Sequence, residues 1–316
     1  MSLLDVKNLK IYYFTLKGVV RAVDDVSFNV REGEVLGIAG ESGSGKSTLG
    51  YGLMRLVPPP GRIVGGNIVV SGRDIVSMDE GTLRREIRWK VISMIFQGAL
   101  NALNPVYTIG KQLVEPIIFH EDVGLKEAYE RVAEMVKLVG LNEDVLRRYP
   151  HELSGGMKQR VMIAMALILR PKIVIADEPT TALDVVIQAQ IMNLFKKIKK
   201  EFNQSIIFIT HDLSLIAEIA DNVAVMYAGK IVEYGNSDNV FNTPKHPYTQ
   251  GLLKSIPRLK SKEKLSWIPG TPPDLRNPPV GCRFHPRCPY VMDVCRREEP
   301  LTKDVGGSHL VACWLY

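Results

Sequence analysis

Cysteine is missing from the first 281 of the 316 residues, so no disulfide framework or thiolate metal site can organise that part of the chain. Long apolar runs are missing too. The longest, VMIAMALIL (161–169), is bracketed by Arg160 and Arg170 and is far short of the roughly 20 residues that cross a bilayer. The opening MSLLDVKNLK has no cationic stretch followed by an apolar core, so a signal peptide is not expected. A cytoplasmic chain is expected, with any membrane role supplied by a partner. Lysine and arginine outnumber the acids by 40 to 34, but no basic run with interleaved aromatics appears. A dispersed charge of +6 argues against nucleic acid as a partner and is compatible with a membrane surface or an anionic ligand.

What is present is 46% hydrophobic residues, enough for one large domain and an appendage. LLDVKNLKIYY (3–13) and VDDVSFNV (23–30) alternate at period two, as half-buried strands do. GEVLGIAG (33–40), VISMIF (91–96), KIVIAD (172–177) and SIIFIT (205–210) are short, nearly continuous apolar runs, as buried central strands read. Helical signals fall between them. In 124–141, Leu125, Tyr129, Val132, Val136 and Val139 form one stripe, read as plain packing. Strands alternating with helices predict an α/β fold with a largely parallel sheet. Eleven of the 19 prolines lie at or beyond Pro244, so the chain divides near residue 236 into a core and a tail with little core of its own.

The segment GESGSGKST (40–48) follows a predicted strand and precedes a predicted helix. It fits G-x-x-x-x-G-K-[ST], the loop that cradles phosphates. Gly40, Gly43 and Gly45 allow a tight turn whose N–H groups, with those of Ser42, Ser44 and Thr48, face phosphate oxygens. Lys46 is expected to reach the β- and γ-phosphates, and Ser47 to hold Mg²⁺. A second anion-facing start occurs at HELSGGMKQR (151–160), where Ser154, Gly155 and Gly156 precede a helix. About twenty residues on, IVIADEPTTALD puts Asp177 and Glu178 at the end of a strand, the edge that faces the ligand crevice in α/β sheets. Asp177 can hold Mg²⁺ through water, and Glu178 can act as general base.

With these motifs in order, the chain resembles the ATP-binding subunits of ABC transporters over roughly residues 3–240. The resemblance rests on the loop at 40–48, Gln97 in MIFQG, the signature Leu153-Ser154-Gly155-Gly156-Met157, Asp177-Glu178, the turn ending at Asp184, and His211 in ITHDL. It implies a P-loop ATPase core with a mixed sheet over residues 1–240 and a helical subdomain at about 98–165. It also implies ATP and Mg²⁺ as ligands, with Tyr13 stacking on adenine and its neighbours Tyr12 and Phe14 as the alternatives. Gln97 would join Ser47 and Asp177 at Mg²⁺, and His211 would contact the γ-phosphate and position Glu178. The signature of one subunit would close on ATP held by the other, with Asp184 in the intervening turn. Met157 stands where the common signature has glutamine, a variant resembling the peptide-transporter branch.

The tail narrows the resemblance. NVFNTPKHPYTQGLLKSIPRL (239–259), IPGTPPDL (268–275) and CRFHPRCPY (282–290) look like the C-terminal extension of dipeptide and oligopeptide importer ATPases. This implies a peripheral protein at the cytoplasmic face of the membrane. Its partners would be a second ATPase (a different chain or a copy), two integral permease subunits and, indirectly, an extracellular binding protein. Importers of nickel or oligosaccharides and soluble ABC ATPases are the alternatives. Within 241–316 the cysteines follow C-x5-C-x6-C-x17-C. Disulfides, unpaired thiols and a four-thiolate metal site are all open from the residues; the gaps are long for zinc and suit an iron–sulfur cluster better. Family members with a similar tail imply a [4Fe–4S] cluster on Cys282, Cys288, Cys295 and Cys313, with Zn²⁺ as the alternative. The expected extension is therefore irregular, proline- and cysteine-rich.

Overall fold

The period-two alternation at the start of the chain becomes a long hairpin. β1 (Ser2–Thr15) pairs antiparallel with β2 (Gly18–Arg31), and the turn closes where Thr15 faces Gly18, whose φ of 123° favours glycine. The structure, a computed structural model, describes residues 2–98, 102–255 and 267–316. The elements that follow are β3 (Val35–Ala39), α1 (Lys46–Leu53), β4 (Gly61–Val70) and β5 (Arg73–Asp74). Next come α2 (Glu80–Thr82), β6 (Ile92–Ile95), α3 (Ile109–His120), α4 (Leu125–Leu138), α5 (Gly155–Leu167), β7 (Ile173–Asp177), α6 (Val185–Phe202) and β8 (Ser205–Ile209). The chain continues with α7 (Leu213–Ile219), β9 (Asn222–Tyr227), β10 (Lys230–Asn236), α8 (Ser237–Asn242), α9 (Pro247–Lys254), α10 (Asp293–Arg297), β11 (Lys303–Asp304) and β12 (Leu310–Val311). These elements fall into two compact units, residues 1–76 with 208–316, and residues 77–207.

The first unit holds an antiparallel sheet in the order β2-β1-β4-β5 and a mixed run β11-β12-β10-β9-β3. Every residue of β3 is buried, and β3 runs parallel to β9, as the continuous apolar run predicts. Gly37 sits where α7 packs closely: a Cβ there would meet Ile216 Cγ2 at 2.4 Å. The end of β3 therefore opens into the loop at 40–48 from a rigid, fully buried base.

The second unit pairs β6 and β7 in parallel, so the chain ends of both strands point the same way. α3, α4 and α5 pack against one another beside them. The stripe expected on α4 is only partly realised. Val132, Val136 and Val139 are fully buried, but Leu125 and Tyr129 are 59% and 39% exposed, and Ala128 is buried instead. At that turn the Tyr129 ring lies half at the surface beside Gly110 of α3, where an added Cβ would stand 3.1 Å from the ring. Among the described residues no helix is long and apolar enough to cross a membrane.

The tail differs from its sequence expectation. It is not a segment without a core: Tyr248 and Val311 are fully buried and Phe284 nearly so. The rings of Tyr227, Tyr248 and Phe284 stand 4.6–5.4 Å apart. β12 adds itself to β10, with Glu233 opposite Val311. The buried Glu233 carboxylate accepts the backbone N–H groups of Lys245 (2.7 Å) and His246 (2.9 Å) and bonds Nε2 of His309 (2.7 Å), which ties two parts of the tail to one strand. Such a set of donors is what makes a buried carboxylate tolerable.

The iron–sulfur cluster expected on Cys282, Cys288, Cys295 and Cys313, and the zinc alternative, are not supported. Among the described residues, which include all four cysteines, no group of three or more His, Cys, Asp or Glu side chains is placed to hold a metal. The void that the four thiols help to line is about 10 Å³, room for roughly one water. Burial pushes the Cys282 thiol up to about 11 and also raises Cys288 and Cys313. The extension is thus held by aromatic packing and buried ion pairs, not by its cysteine content.

Candidate functional site

One group of candidate residues lies in the first unit. Between β3 and α1 the backbone of Gly40, Gly43 and Gly45 takes φ values of 150°, 78° and 101°. A Cβ at Gly40 would lie 2.2 Å from the Met226 carbonyl oxygen, and one at Gly45 would lie 2.0 Å from that of Ala22. Both glycines are therefore required by close approach. Gly43 has open space around it and is required by its backbone angle alone. Ser42 and Gly43 are exposed at the loop tip, and Ser44 is buried beneath them. Lys46 is buried, and its ammonium donates to the carbonyl oxygens of Gly40 (2.7 Å) and Glu41 (2.9 Å). Ser47 and Thr48 open α1, where the first-turn N–H groups point out of the helix.

Strand alternation sends the neighbouring aromatics Tyr12, Tyr13 and Phe14 to different surroundings. The Tyr13 hydroxyl lies 3.3 Å from Thr48 Oγ1, and Gly61 on the paired strand leaves room for the Tyr13 ring. Tyr12 points to the opposite face, where its hydroxyl donates to Asp24 at 2.6 Å. Burial, together with that carboxylate, pushes the Tyr12 phenol up to about 12. Phe14 is exposed and covered by Arg62, 4.3 Å from its centroid. His211 is exposed, one residue past Thr210, whose N–H donates to the Ile38 carbonyl of β3.

Two features of this loop escape sequence reasoning. Glu41 accepts two bonds from Arg287, at 2.6 and 3.0 Å, and its N–H donates to the Tyr248 hydroxyl at 2.8 Å. These partners lie more than 200 positions away, and no local pattern announces them. His246, buried and pushed down to about 3 by desolvation, is a neutral cap whose Nδ1 accepts the Tyr248 N–H at 3.1 Å.

A second group lies in the second unit. β6 and β7, parallel, deliver Gln97 and Asp177-Glu178 to the same edge. Gln97 Nε2 donates to Glu178 Oε2 at 3.0 Å, and the Thr181 hydroxyl donates to the same oxygen at 2.9 Å. Asp177 is fully buried at the strand end. Glu178 has φ +46°, a left-handed value uncommon outside glycine, held by the turn in which Thr181 N–H donates to its carbonyl. Thr181 was not singled out from the sequence; its signal is only its place three residues past Glu178.

In the same unit Leu153 is buried under the start of α5, and Ser154 caps that helix, its Oγ accepting the Met157 N–H at 3.3 Å. Gly155 is half-buried. Gly156 has a packing reason: a Cβ would meet Ile187 Cγ2 of α6 at 2.8 Å. Asp184 caps α6 by accepting the Ile187 N–H at 2.9 Å. The Ser47 hydroxyl in the first unit, and the Gln97 amide and Asp177 carboxylate in the second, are hard oxygen donors of the kind Mg²⁺ takes.

A glycine-bound phosphate loop and a strand-end Asp-Glu pair define a P-loop ATPase. The family described as ABC transporter matches residues 23–181, and that described as oligopeptide/dipeptide transporter, C-terminal region, matches residues 232–295. The chain is 49% identical over 316 residues to the oligopeptide transport ATP-binding protein OppD of Escherichia coli (strain K12), covering 99% of this chain and 93% of that one. It is 48% identical over 318 residues to the dipeptide transport ATP-binding protein DppD of Bacillus subtilis (strain 168), covering 99% and 95%. The dimeric structure of MJ0796, a bacterial ABC transporter cassette, superposes with a TM-score of 0.67 at 30% identity, over 74% of this chain and 98% of that one. The chain belongs to the ABC transporter ATP-binding subunits of the oligopeptide and dipeptide importer family.

Proposed function

We propose that the residues above share one ATP hydrolysis cycle, in which the loop at 40–48 binds the nucleotide and Glu178 activates water. The chain is an ATP-hydrolysing ABC subunit for peptide import through membrane permease partners. The observation that carries the division of roles is the triad of Gln97, Glu178 and Thr181 at one strand edge. Two donors converge on one carboxylate oxygen and aim the group, as a general base requires.

Lys46 and the N–H groups of Gly43, Ser44, Gly45, Ser47 and Thr48 hold the phosphates, and the Tyr13 ring carries the adenine. Ser47, Gln97 and Asp177 would hold Mg²⁺, which would supply positive charge against the phosphates. Glu178 takes the proton of the attacking water, and His211 steadies the γ-phosphate. Leu153 to Met157 and Asp184 serve the ATP of a partner subunit. Residues 1–240 form the ATPase domain, with helices in 98–165 as a subdomain, and 241–316 form the importer-type extension. Residues 1, 99–101 and 256–266 of those ranges lie outside the described residues. A second ATPase, two permease subunits and an extracellular binding protein complete the assembly at the cytoplasmic face of the membrane. The relatives are named for oligopeptides and dipeptides, which makes peptides the proposed cargo.

Glu178→Gln keeps the hydrogen-bonding shape and removes the base. Hydrolysis should fall about 10²–10⁴-fold while ATP binding persists. Turnover near that of the unaltered chain would take Glu178 out of the mechanism.

A further inference from the structure

Glu41 stands second in the phosphate loop, and the roles above do not use its side chain. Each of its polar groups is nonetheless engaged. The N–H donates to Tyr248 Oη at 2.8 Å, the carbonyl accepts from Lys46 Nζ at 2.9 Å, and the carboxylate takes Arg287 in a two-point grip. The first and last of these partners belong to the C-terminal extension. Arg287 is itself immobilised. Its side chain is 4% exposed, its Nε donates to the Pro269 carbonyl at 2.8 Å, and its guanidinium lies 5.7 Å from the Tyr227 ring centroid. Tyr227 packs in turn on Tyr248 and Phe284.

We infer that Arg287 and Tyr248 are positioning residues for ATP: the extension sets the shape of the phosphate loop through Glu41. The inference rests on the reading of residues 40–48 as the nucleotide site. The physical reason is preorganisation. A planar guanidinium that binds a carboxylate at two points fixes orientation as well as distance. With residue 41 pinned at its N–H and its side chain, its carbonyl is held in place, and that carbonyl is one of the two on which Lys46 rests. A loop already in its binding shape spends no ordering entropy when the triphosphate arrives. Without the grip, residue 41 can turn, and the Lys46 ammonium loses its fixed support. Linkage makes the effect reciprocal, so bound ATP should tighten the extension.

The test uses the full chain with ATP and Mg²⁺, measured below the unfolding temperature of every variant. Arg287→Met should weaken ATP binding about tenfold, equal to about 1.4 kcal/mol. Arg287→Lys keeps the charge but not the fork, and should lose about threefold, a partial rescue. Glu41→Gln should weaken binding similarly, and adding Arg287→Met to it should cost less than a further twofold. The rise in thermal midpoint on adding ATP should shrink in the same order. If Arg287→Met does not fold, Arg287→Lys and Glu41→Gln carry the test. A purely architectural ion pair would lower thermal midpoints and leave ATP affinity unchanged, and that result would overturn the inference. Failure of the unaltered chain to bind ATP would instead remove the nucleotide site itself, and this proposal with it.

Discussion

At the scale of single residues, the site depends on how side chains are aimed. Glu178 sits on a left-handed backbone, so its direction is set by the turn after β7 and not by rotamer preference alone. Thr181 and Gln97 then fix the carboxylate. A hydrogen bond to a charged group contributes about 1.5–3 kcal/mol when buried, and less at this exposed edge. Thr181→Val keeps the shape and deletes one donor. Turnover at saturating ATP should fall about tenfold with ATP affinity unchanged, the pattern of a group that aims a base. An equal loss in affinity would place Thr181 in nucleotide binding instead. The sequence names the Asp-Glu pair because strand ends carry ligands in α/β folds. It does not name Thr181, because a hydroxyl three residues along a turn has no periodic signal.

At the scale of elements, two helix starts that read as anion sites are also packing joints. α5 begins at Ser154 and approaches α6 so closely that Gly156 has Ile187 where a methyl would be. Alanine usually stabilises a helix by roughly 0.5–1 kcal/mol over glycine, but overpacking commonly costs about 1–3 kcal/mol. The second effect should win here, because the β-branched Ile187 side chain is stiff. Gly156→Ala should therefore lower the thermal midpoint, and Ile187→Ala in the same chain should recover part of the loss. A midpoint that rises in Gly156→Ala would show that α6 yields easily. The strands were readable one by one: 33–40, 91–96, 172–177 and 205–210 were each expected, and each contains an observed strand. The stripe on α4 was readable only in its second half: Val132, Val136 and Val139 are buried as expected, but at the first turn Ala128 is buried and Tyr129 is not.

At the scale of the whole molecule, the proposed cycle puts on one chain a nucleotide loop and a signature for a partner's nucleotide. An isolated subunit should therefore be a poor ATPase. Specific activity should rise with protein concentration and rise further when the partner ATPase is added. Activity per chain that stays constant down to nanomolar protein would show that one chain hydrolyses ATP alone. The charge of +6 is too small and too dispersed to predict how such subunits meet.

The sequence by itself determined the chemistry. Glycines at 40, 43 and 45, the lysine at 46 and the carboxylates at 177–178 are local patterns, and local backbone constraints are written in adjacent residues. Only the tertiary structure decided how the tail is held. Cysteine spacing pointed to a metal, but the thiols form no such site, and the segment is anchored by Arg283 on Asp24, Arg287 on Glu41 and Phe284 between two tyrosines. Those partners are separated by 259, 246 and, for the aromatics, as many as 57 positions. Contacts of that range carry no sequence periodicity. They arise when burial brings distant side chains together, and the cost of leaving a buried charge unpaired then selects the partner.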